Sequence, residues 1–489
     1  MRKLALLFAV VGFLGCATNP VTGEREFNIV SEQQELQMGA ESHPEVLQEY
    51  GIYNEKPDLN AMVDRIGRRI AAVSDRPNLP WHFTLLDTPI VNAMALPGGY
   101  VYVTRGIMER MNSEDELAGV IAHEVSHVAA RHAARSISQQ QLANLGIGLA
   151  SIFAGGAATQ AYGGLVELGA GLLFTRYSRQ QESQADLLGT AYMTEAGYNP
   201  RGAQNMLMAL ERLDTGDTSA LEQYFIDHPD PRKRVGDVQK EISTLQSKNA
   251  QIGTTPLDRA FVRSLDNVIT GASTELTTVK GNTVYNRPYG IIATAPPGWI
   301  ATTQPGAVFA FTTPGRSSEG LTVQEVPVQK MQGYATAQGA IRTQLQNMGL
   351  RFVRTGTANT GSGQRLDVDL WSGQTDSGQV QVETTQMVEG QNVLVFLQIS
   401  PVSNGRRYDL VSMLQNMQFD RARARSVEPP RMHVGTSRAR DTWEEIARRS
   451  TGHAEDAKAI AAINGFDYPS AVPVGISLKL PEEVIKAQS

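Results

Sequence analysis

The chain has 489 residues, 41% of them hydrophobic and 19% charged, enough for two or three domains that each bury a core. A formal net charge of −6 gives no broad basic footprint, so nucleic acid is not an expected partner. The single cysteine, Cys16, excludes an intrachain disulfide.

The chain opens with MRKLALLFAVVGFLGC. Arg2 and Lys3 form a basic start, and the apolar stretch from Leu4 to Leu14 is too short to span a bilayer comfortably. Gly15-Cys16 closes it. This layout resembles a bacterial lipoprotein signal, which implies removal of residues 1–15, lipidation of Cys16 and membrane contact through that N-terminal lipid. Alanine, not aspartate, follows the cysteine, as in Gram-negative lipoproteins sorted to the outer membrane. The expected location is therefore the periplasm, lipid-anchored at the outer membrane of a Gram-negative bacterium.

From Ser31 to about Asn249 the pattern is mostly helical. Pro57 to Asp75 places Leu59, Met62, Val63, Ile66 and Ile70 on one helical face, with Pro57 in the first turn. Trp81 to Asp87 reads as a strand, and Asn92 to Gly106 as two short strands around a Pro-Gly-Gly turn. Ser113 and Glu116 predict a capping box that opens a long helix through His123 and His127. Leu142 to Phe174 is apolar and rich in glycine, and reads as a small-residue helical hairpin that touches lipid or covers the site. Ser178 to Pro200 is another helix, capped by Ser178 and ended by Gly197.

Around Gln251 the character changes. Residues 251–278 read as a linker. Residues 279–420 read as an α+β unit with an antiparallel sheet, weakly similar to PsbP/MOG-type domains. Residues 421–430 form a basic linker. Residues 431–482 then resemble a LysM module, a βααβ arrangement that implies peptidoglycan as a partner. Arg440-Asp441-Thr442 stands where such modules usually carry Gly-Asp-Thr, so a purely structural cap is an equal reading.

The chemistry concentrates in GVIAHEVSHVAARHAARS, Gly119 to Ser136. On a helix, His123 and His127 sit one turn apart and can converge on one ion. Neutral imidazoles suit zinc. Glu124, beside the first histidine, is placed to take a proton from an attacking water and return it to the leaving amine. A catalytic zinc normally has three protein ligands. On a continuous helix His132 lies about 140° round from His127 and points away, which makes it a polar-packing residue. A third histidine at metzincin spacing is excluded, because Ala133 and Ala130 occupy the required positions. Glu182, in QESQADLLG, is a better third ligand, and Asp186 shares its face and can fix the tautomer of a ligand histidine.

With NAMALPGGYVYVTRG, HEVSHVAARH, ESQADLLG and HPDPRKRV in this order, the chain resembles the zinc peptidases of the BepA, HtpX and Oma type, gluzincin relatives of the CAAX prenyl endopeptidase. The resemblance covers about Ser31 to Asn249. It implies one zinc ion held by His123, His127 and Glu182, with Glu124 as catalytic base and Asp186 as their support. It also implies roles near the metal for His228, as gate, fourth ligand or oxyanion partner, and for Arg234, as oxyanion stabiliser. The hairpin residues Asn92, Ala93, Met94 and Ala95 could offer an edge strand to an extended substrate.

The expected architecture is α+β and multidomain. A mainly helical, zincin-type peptidase domain occupies 16–250, followed by the antiparallel-sheet domain and the LysM-like module. The expected activity is zinc-dependent endoproteolysis of misfolded or misassembled envelope proteins. The alternative is a latent zinc protein acting as an envelope assembly factor, chaperone or peptidoglycan-binding scaffold.

Overall fold

The computed structural model describes residues 16–139, 177–213, 228, 231–254, 258–304, 306–313, 316–331, 333, 336–375, 378–402 and 409–482. The expected signal segment 1–15 and the glycine-rich stretch 142–174 lie outside the described residues. No helix among the described residues is long and apolar enough to cross a membrane.

Cys16 begins β1 (Cys16–Thr18), which pairs antiparallel with β2 (Arg25–Phe27). Helix α1 (Glu32–Tyr50) starts from a reciprocal capping box between Ser31 and Gln34. Helix α2 (Pro57–Ala71) has proline in its first turn and buries Leu59, Val63, Ile66 and Ile70, the face the spacing predicts. Strands β3 (His82–Leu86), β4 (Ala93–Leu96) and β5 (Tyr100–Thr104) form one sheet in the order β3-β5-β4. β5 runs parallel to β3 and antiparallel to β4. The turn between β4 and β5 needs its glycines, since Gly98 and Gly99 take φ values of +85° and +103°. This order leaves β4 at the sheet edge.

After α3 (Arg105–Arg110) comes α4 (Glu114–Ala129), buried on nearly every face, its polar residues Glu116, His123, Glu124, Ser126 and His127 included. Ser113 accepts the Glu116 N–H as predicted, but the Glu116 carboxylate accepts from Asn112 N instead of closing the box on Ser113. Helices α5 (Arg179–Glu195), α6 (Arg201–Leu213) and α7 (Pro231–Lys248) complete this half. Ser178 caps α5 and Gly197, at φ +85°, follows its end. Two glycines set the helix spacing. A Cβ on Gly119 would lie 2.8 Å from Ala203 Cα on α6, and one on Gly189 would lie 3.1 Å from the backbone of Ala122 and His123. Glu182, Asp186 and Gly189 follow helical spacing, so the α5 face that carries the acids is the one that touches α4.

The segment expected as a linker, 251–278, is partly core. Its helix α8 (Ala260–Ser264) and the residues after it bury Phe261, Leu265, Val268 and Ile269 in the same cluster as Ile66, Val103 and Leu117.

Next comes a four-stranded antiparallel sheet, whose first three strands are β6 (Thr277–Lys280), β7 (Thr283–Asn286) and β8 (Ile291–Thr294). The seven-stranded antiparallel sheet begins with β9 (Ile300–Thr302), β10 (Ala307–Thr313) and β11 (Arg316–Pro327). Helix α9 (Ala337–Asn347) leads to β12 (Arg351–Asn359), β13 (Arg365–Thr375), β14 (Gly378–Glu389) and β15 (Asn392–Pro401). Helix α10 (Leu410–Gln415) precedes β16 (Gln418–Phe419), which joins β8 and closes the smaller sheet. The larger sheet has the order β12-β13-β14-β15-β11-β10-β9.

Helix α11 (Arg421–Ser426) leads to β17 (Met432–Thr436), α12 (Trp443–Ser450), α13 (Ala457–Ile463) and β18 (Ser477–Pro481), with β17 antiparallel to β18. This β-α-α-β unit is clamped to the first half. Buried Lys479 donates through Nζ to the carbonyls of Glu109 and Met111, at 2.8 and 3.0 Å. Arg259 donates to the Asn464 carbonyl, and Arg212 pairs with Asp467.

Candidate metal centre

Helix α4 presents His123 and His127 one turn apart, and their Nε2 atoms come within 3.0 Å. Helix α5 brings Glu182 against both, with carboxylate oxygens 3.4 Å from His127 Nε2 and 3.6 Å from His123 Nε2. His228 adds a fourth donor, Nδ1, 3.0 Å from Glu182 Oε1 and 3.4 Å from His123 Nε2. All four residues are buried, and they form the one such cluster found among the described residues. A tetrahedral zinc with bonds of about 2.0–2.1 Å separates its ligand atoms by about 3.4 Å. The observed separations fit that geometry.

The protonation states fit as well. Burial holds the His127 pKa well below its usual value, so its ring is neutral and can donate a lone pair. Burial alone would raise the Glu182 pKa. The charges of His228 and Arg234, with a hydrogen bond from His228, outweigh it and keep the carboxylate ionised. Asp186 behaves likewise: burial is overcome by Arg234 and a hydrogen bond with His123, and its pKa falls to about 2. Asp186 Oδ1 lies 3.0 Å from His123 Nδ1, the contact that leaves Nε2 free for a metal.

Arg234 stands on the carboxylates. It contacts Asp186 through Nε and Nη2, at 2.7 and 2.8 Å, and lies 2.9 Å from Glu182 through Nη1. Glu124 is buried beside the cluster. Its Oε1 is 3.8 Å from His228 Nε2, and its Oε2 has no hydrogen-bond partner among the described residues. Burial raises its pKa, a trend the charge of His228 partly opposes. A buried carboxylate oxygen without a donor is costly unless something polar binds there. Its position among metal-type ligands suits a water molecule.

His132 departs from expectation. Helix α4 ends at Ala129, and Arg131 adopts a left-handed φ of +58°. Arg131 is held there by Glu35 at 3.0 Å and the Val30 carbonyl at 2.7 Å. The angular count along a continuous helix therefore fails. The fully buried His132 ring turns back onto the site, with its Nδ1 2.9 Å from His127 Nδ1. Nothing in the spacing betrays this break.

The hairpin lies alongside. Ala95, Leu96 and Pro97 line a small cavity together with His127 and Tyr177. Ala93 and Asn92 are buried, the Asn92 side chain accepting from Ala93 N–H, while Met94 and Ala95 are half-buried.

The model of peptidase family M48 matches residues 57–242. Mitochondrial metalloendopeptidase OMA1 of Schizosaccharomyces pombe is 32% identical over 235 residues, which cover 47% of this chain and 67% of that protein. The beta-barrel assembly-enhancing protease of Escherichia coli is 29% identical over 239 residues, covering 47% of this chain and 48% of that protein. Metalloprotease YcaL of Escherichia coli is 26% identical over 185 residues, covering 37% and 71%. The match thus spans about half the length of the assembly-enhancing protease. A solved structure of cyanobacterial PsbP from Synechocystis aligns with 27% of the chain at 16% identity, and its TM-score of 0.19 is too low to support a shared fold. The four clustered residues all fall inside the segment that the family model matches, so the chemistry of the site and the ancestry of the sequence agree: the chain belongs to peptidase family M48, a family of metalloendopeptidases.

Proposed function

We propose that this metallopeptidase uses one zinc ion to cleave misfolded or misassembled envelope proteins, working in the periplasm from a lipid on Cys16 at the outer membrane. The N-terminal stretch MRKLALLFAVVGFLGC supports the location. The name of the relative in Escherichia coli, a beta-barrel assembly-enhancing protease, supports the substrate class.

His123, His127 and Glu182 would hold the ion. When bound, zinc supplies Lewis acidity, which polarises a scissile carbonyl and lowers the pKa of water to about 7. Glu124 takes the proton of the attacking water on its unpartnered oxygen and later gives it to the leaving nitrogen. Burial raises its pKa, which suits a group that must both accept and return a proton. Asp186 keeps His123 in the metal-binding tautomer, and Arg234 balances the charge of both α5 carboxylates. The outer edge of β4, with Asn92 just before it and Ala93, Met94 and Ala95 on it, would align an extended substrate backbone beside α4.

One observation carries this reading: a two-histidine, one-glutamate cluster with a buried carboxylate beside it that lacks a donor. Cleavage of casein or a model peptide by the wild type and by Glu124→Gln tests it. Loss of cleavage with zinc retained is the expected result. Cleavage undiminished in Glu124→Gln would overturn it.

The position of His228 favours a second reading, a latent protein acting as an envelope assembly factor or chaperone. Its Nδ1 lies 3.0 Å from Glu182 Oε1 and 3.4 Å from His123 Nε2, so it would serve as a fourth ligand in place of the attacking water. In that state the wild type does not cleave and His228→Ala does. Peptidoglycan binding through 431–482 is less favoured, because Lys479 is buried against the first half and the Asn464 carbonyl accepts from Arg259. Sedimentation of the full chain with sacculi checks this point.

A further inference from the structure

His132 meets His127 nitrogen to nitrogen, and its other face meets α5. Its Nε2 lies 3.1 Å from Gln184 Oε1, and its own carbonyl accepts from Gln181 Nε2 at 3.2 Å. The two rings stand edge-on, with centroids 4.9 Å apart and planes at 74°. A side-chain carbonyl can only accept, so the N–H of His132 must be on Nε2. Its Nδ1 is then a bare lone pair. Two ring nitrogens 2.9 Å apart need one proton between them, which places the hydrogen of a neutral His127 on Nδ1 and sets its Nε2 lone pair against that of His123, 3.0 Å away, an arrangement that calls for a cation. The only lone pair left to a neutral His127 is on Nε2, the nitrogen that faces His123 and Glu182.

We propose that His132 and Gln184 are positioning residues, a two-step hydrogen-bond relay that locks His127 into its metal-binding tautomer. This rests on the zinc reading above. The two ligand histidines are thus fixed by different chemistry: His123 by the anionic Asp186, His127 by a neutral ring whose polarity is dictated from α5. Helix α5 therefore supplies a ligand, Glu182, and the orientation of both other ligands, through Asp186 and Gln184. The left-handed break at Arg131 makes the relay possible, because it folds His132 back over the end of α4. The relay also predicts which replacements are tolerated. A side chain with an oxygen acceptor near the His132 Nδ1 position preserves the lock, and an aliphatic one destroys it.

The test compares wild type, His132→Leu and His132→Gln by two readouts. Nitrogen-15 chemical shifts of labelled histidines in the chelator-treated protein report the His127 tautomer. Competition with a chromogenic chelator reports zinc affinity. The wild type and His132→Gln are expected to show the Nδ1–H form. His132→Leu should release His127 to the Nε2–H form and weaken zinc binding by about 10- to 100-fold, the usual effect of removing such a support. Gln184→Met, on a half-buried surface, should shift the same signal in the same direction, and serves if His132→Leu does not fold. An Nδ1–H signal unchanged in the aliphatic variants would overturn the relay, as would zinc affinity within about twofold of wild type. A wild type that binds no zinc would sink the functional reading, whereas the tautomer signal still decides the relay.

Discussion

Arg234 holds Asp186 in a two-point grip, its Nε and Nη2 lying 2.7 and 2.8 Å from Oδ2 and Oδ1. The same guanidinium touches Glu182, so one cation serves two buried carboxylates. Arg234→Met leaves Asp186 without its cation and Glu182 with His228 alone, and should cost about 3–5 kcal/mol in the metal-free protein. Arg234→Lys should recover only part of that, because an ammonium lacks the planar fork. Zinc should shrink the deficit, since its charge replaces the lost one. Urea unfolding with and without zinc checks this; equal deficits in the two states would count against it.

Stability of the metal-free protein should fall on the alkaline side. Burial alone would lower the His228 pKa, but the Glu182 carboxylate, by charge and hydrogen bond, and Glu124 raise it from 6.5 to about 9. A base with a raised folded pKa contributes fully below its unfolded pKa and loses that contribution as pH rises through the folded one. The window is therefore pH 6.5 to about 9. Thermal melts of chelated protein across that range should decline, and His228→Gln should flatten the decline. An identical slope in the variant would show that another group is responsible.

Gly189 permits the contact between α5 and α4. The extra carbon of Gly189→Ala would sit 3.1 Å from backbone atoms of Ala122 and His123, which belong to a buried helix with little freedom to yield. The expected cost is about 1–3 kcal/mol. As α5 is pushed away, Glu182 leaves the histidines and zinc affinity drops. Calorimetric melting and chelator competition should change together. A destabilised variant with unchanged affinity would mean that the strain is absorbed elsewhere.

Lys479 fastens the C-terminal β-α-α-β unit to the end of α3 and to Met111 just after it. Lys479→Met removes the donor to the carbonyls of Glu109 and Met111, at a cost of about 1–3 kcal/mol. Hydrogen exchange should accelerate in 431–482 and in the first turn of α4. Acceleration confined to 431–482 would show that the clamp does not reach the active-site helix.

Periodicity and end signals made most of the peptidase half legible. The face of α2, the hairpin around Gly98-Gly99 and the caps of α5 follow from local rules that packing did not override. Glu182 and Asp186 were legible because helical spacing puts them on one face. His132 was not legible. Its position depends on a left-handed arginine held by Glu35, 96 residues away in sequence. The segment 251–278 looked like a linker because its buried residues are scattered, and the partners that cover them are distant in sequence. Strand β12 is hard to read for a related reason: it is exposed along most of its length, so it lacks the alternation that marks a half-buried strand.

Anomalous diffraction at the zinc edge, from crystals of the zinc-loaded protein, tests the coordination most directly. The expected result is one strong peak about 2.0–2.1 Å from Nε2 of both His123 and His127 and at a similar distance from a Glu182 carboxylate oxygen. A peak elsewhere, or one at the histidines with Glu182 beyond bonding reach, would contradict it.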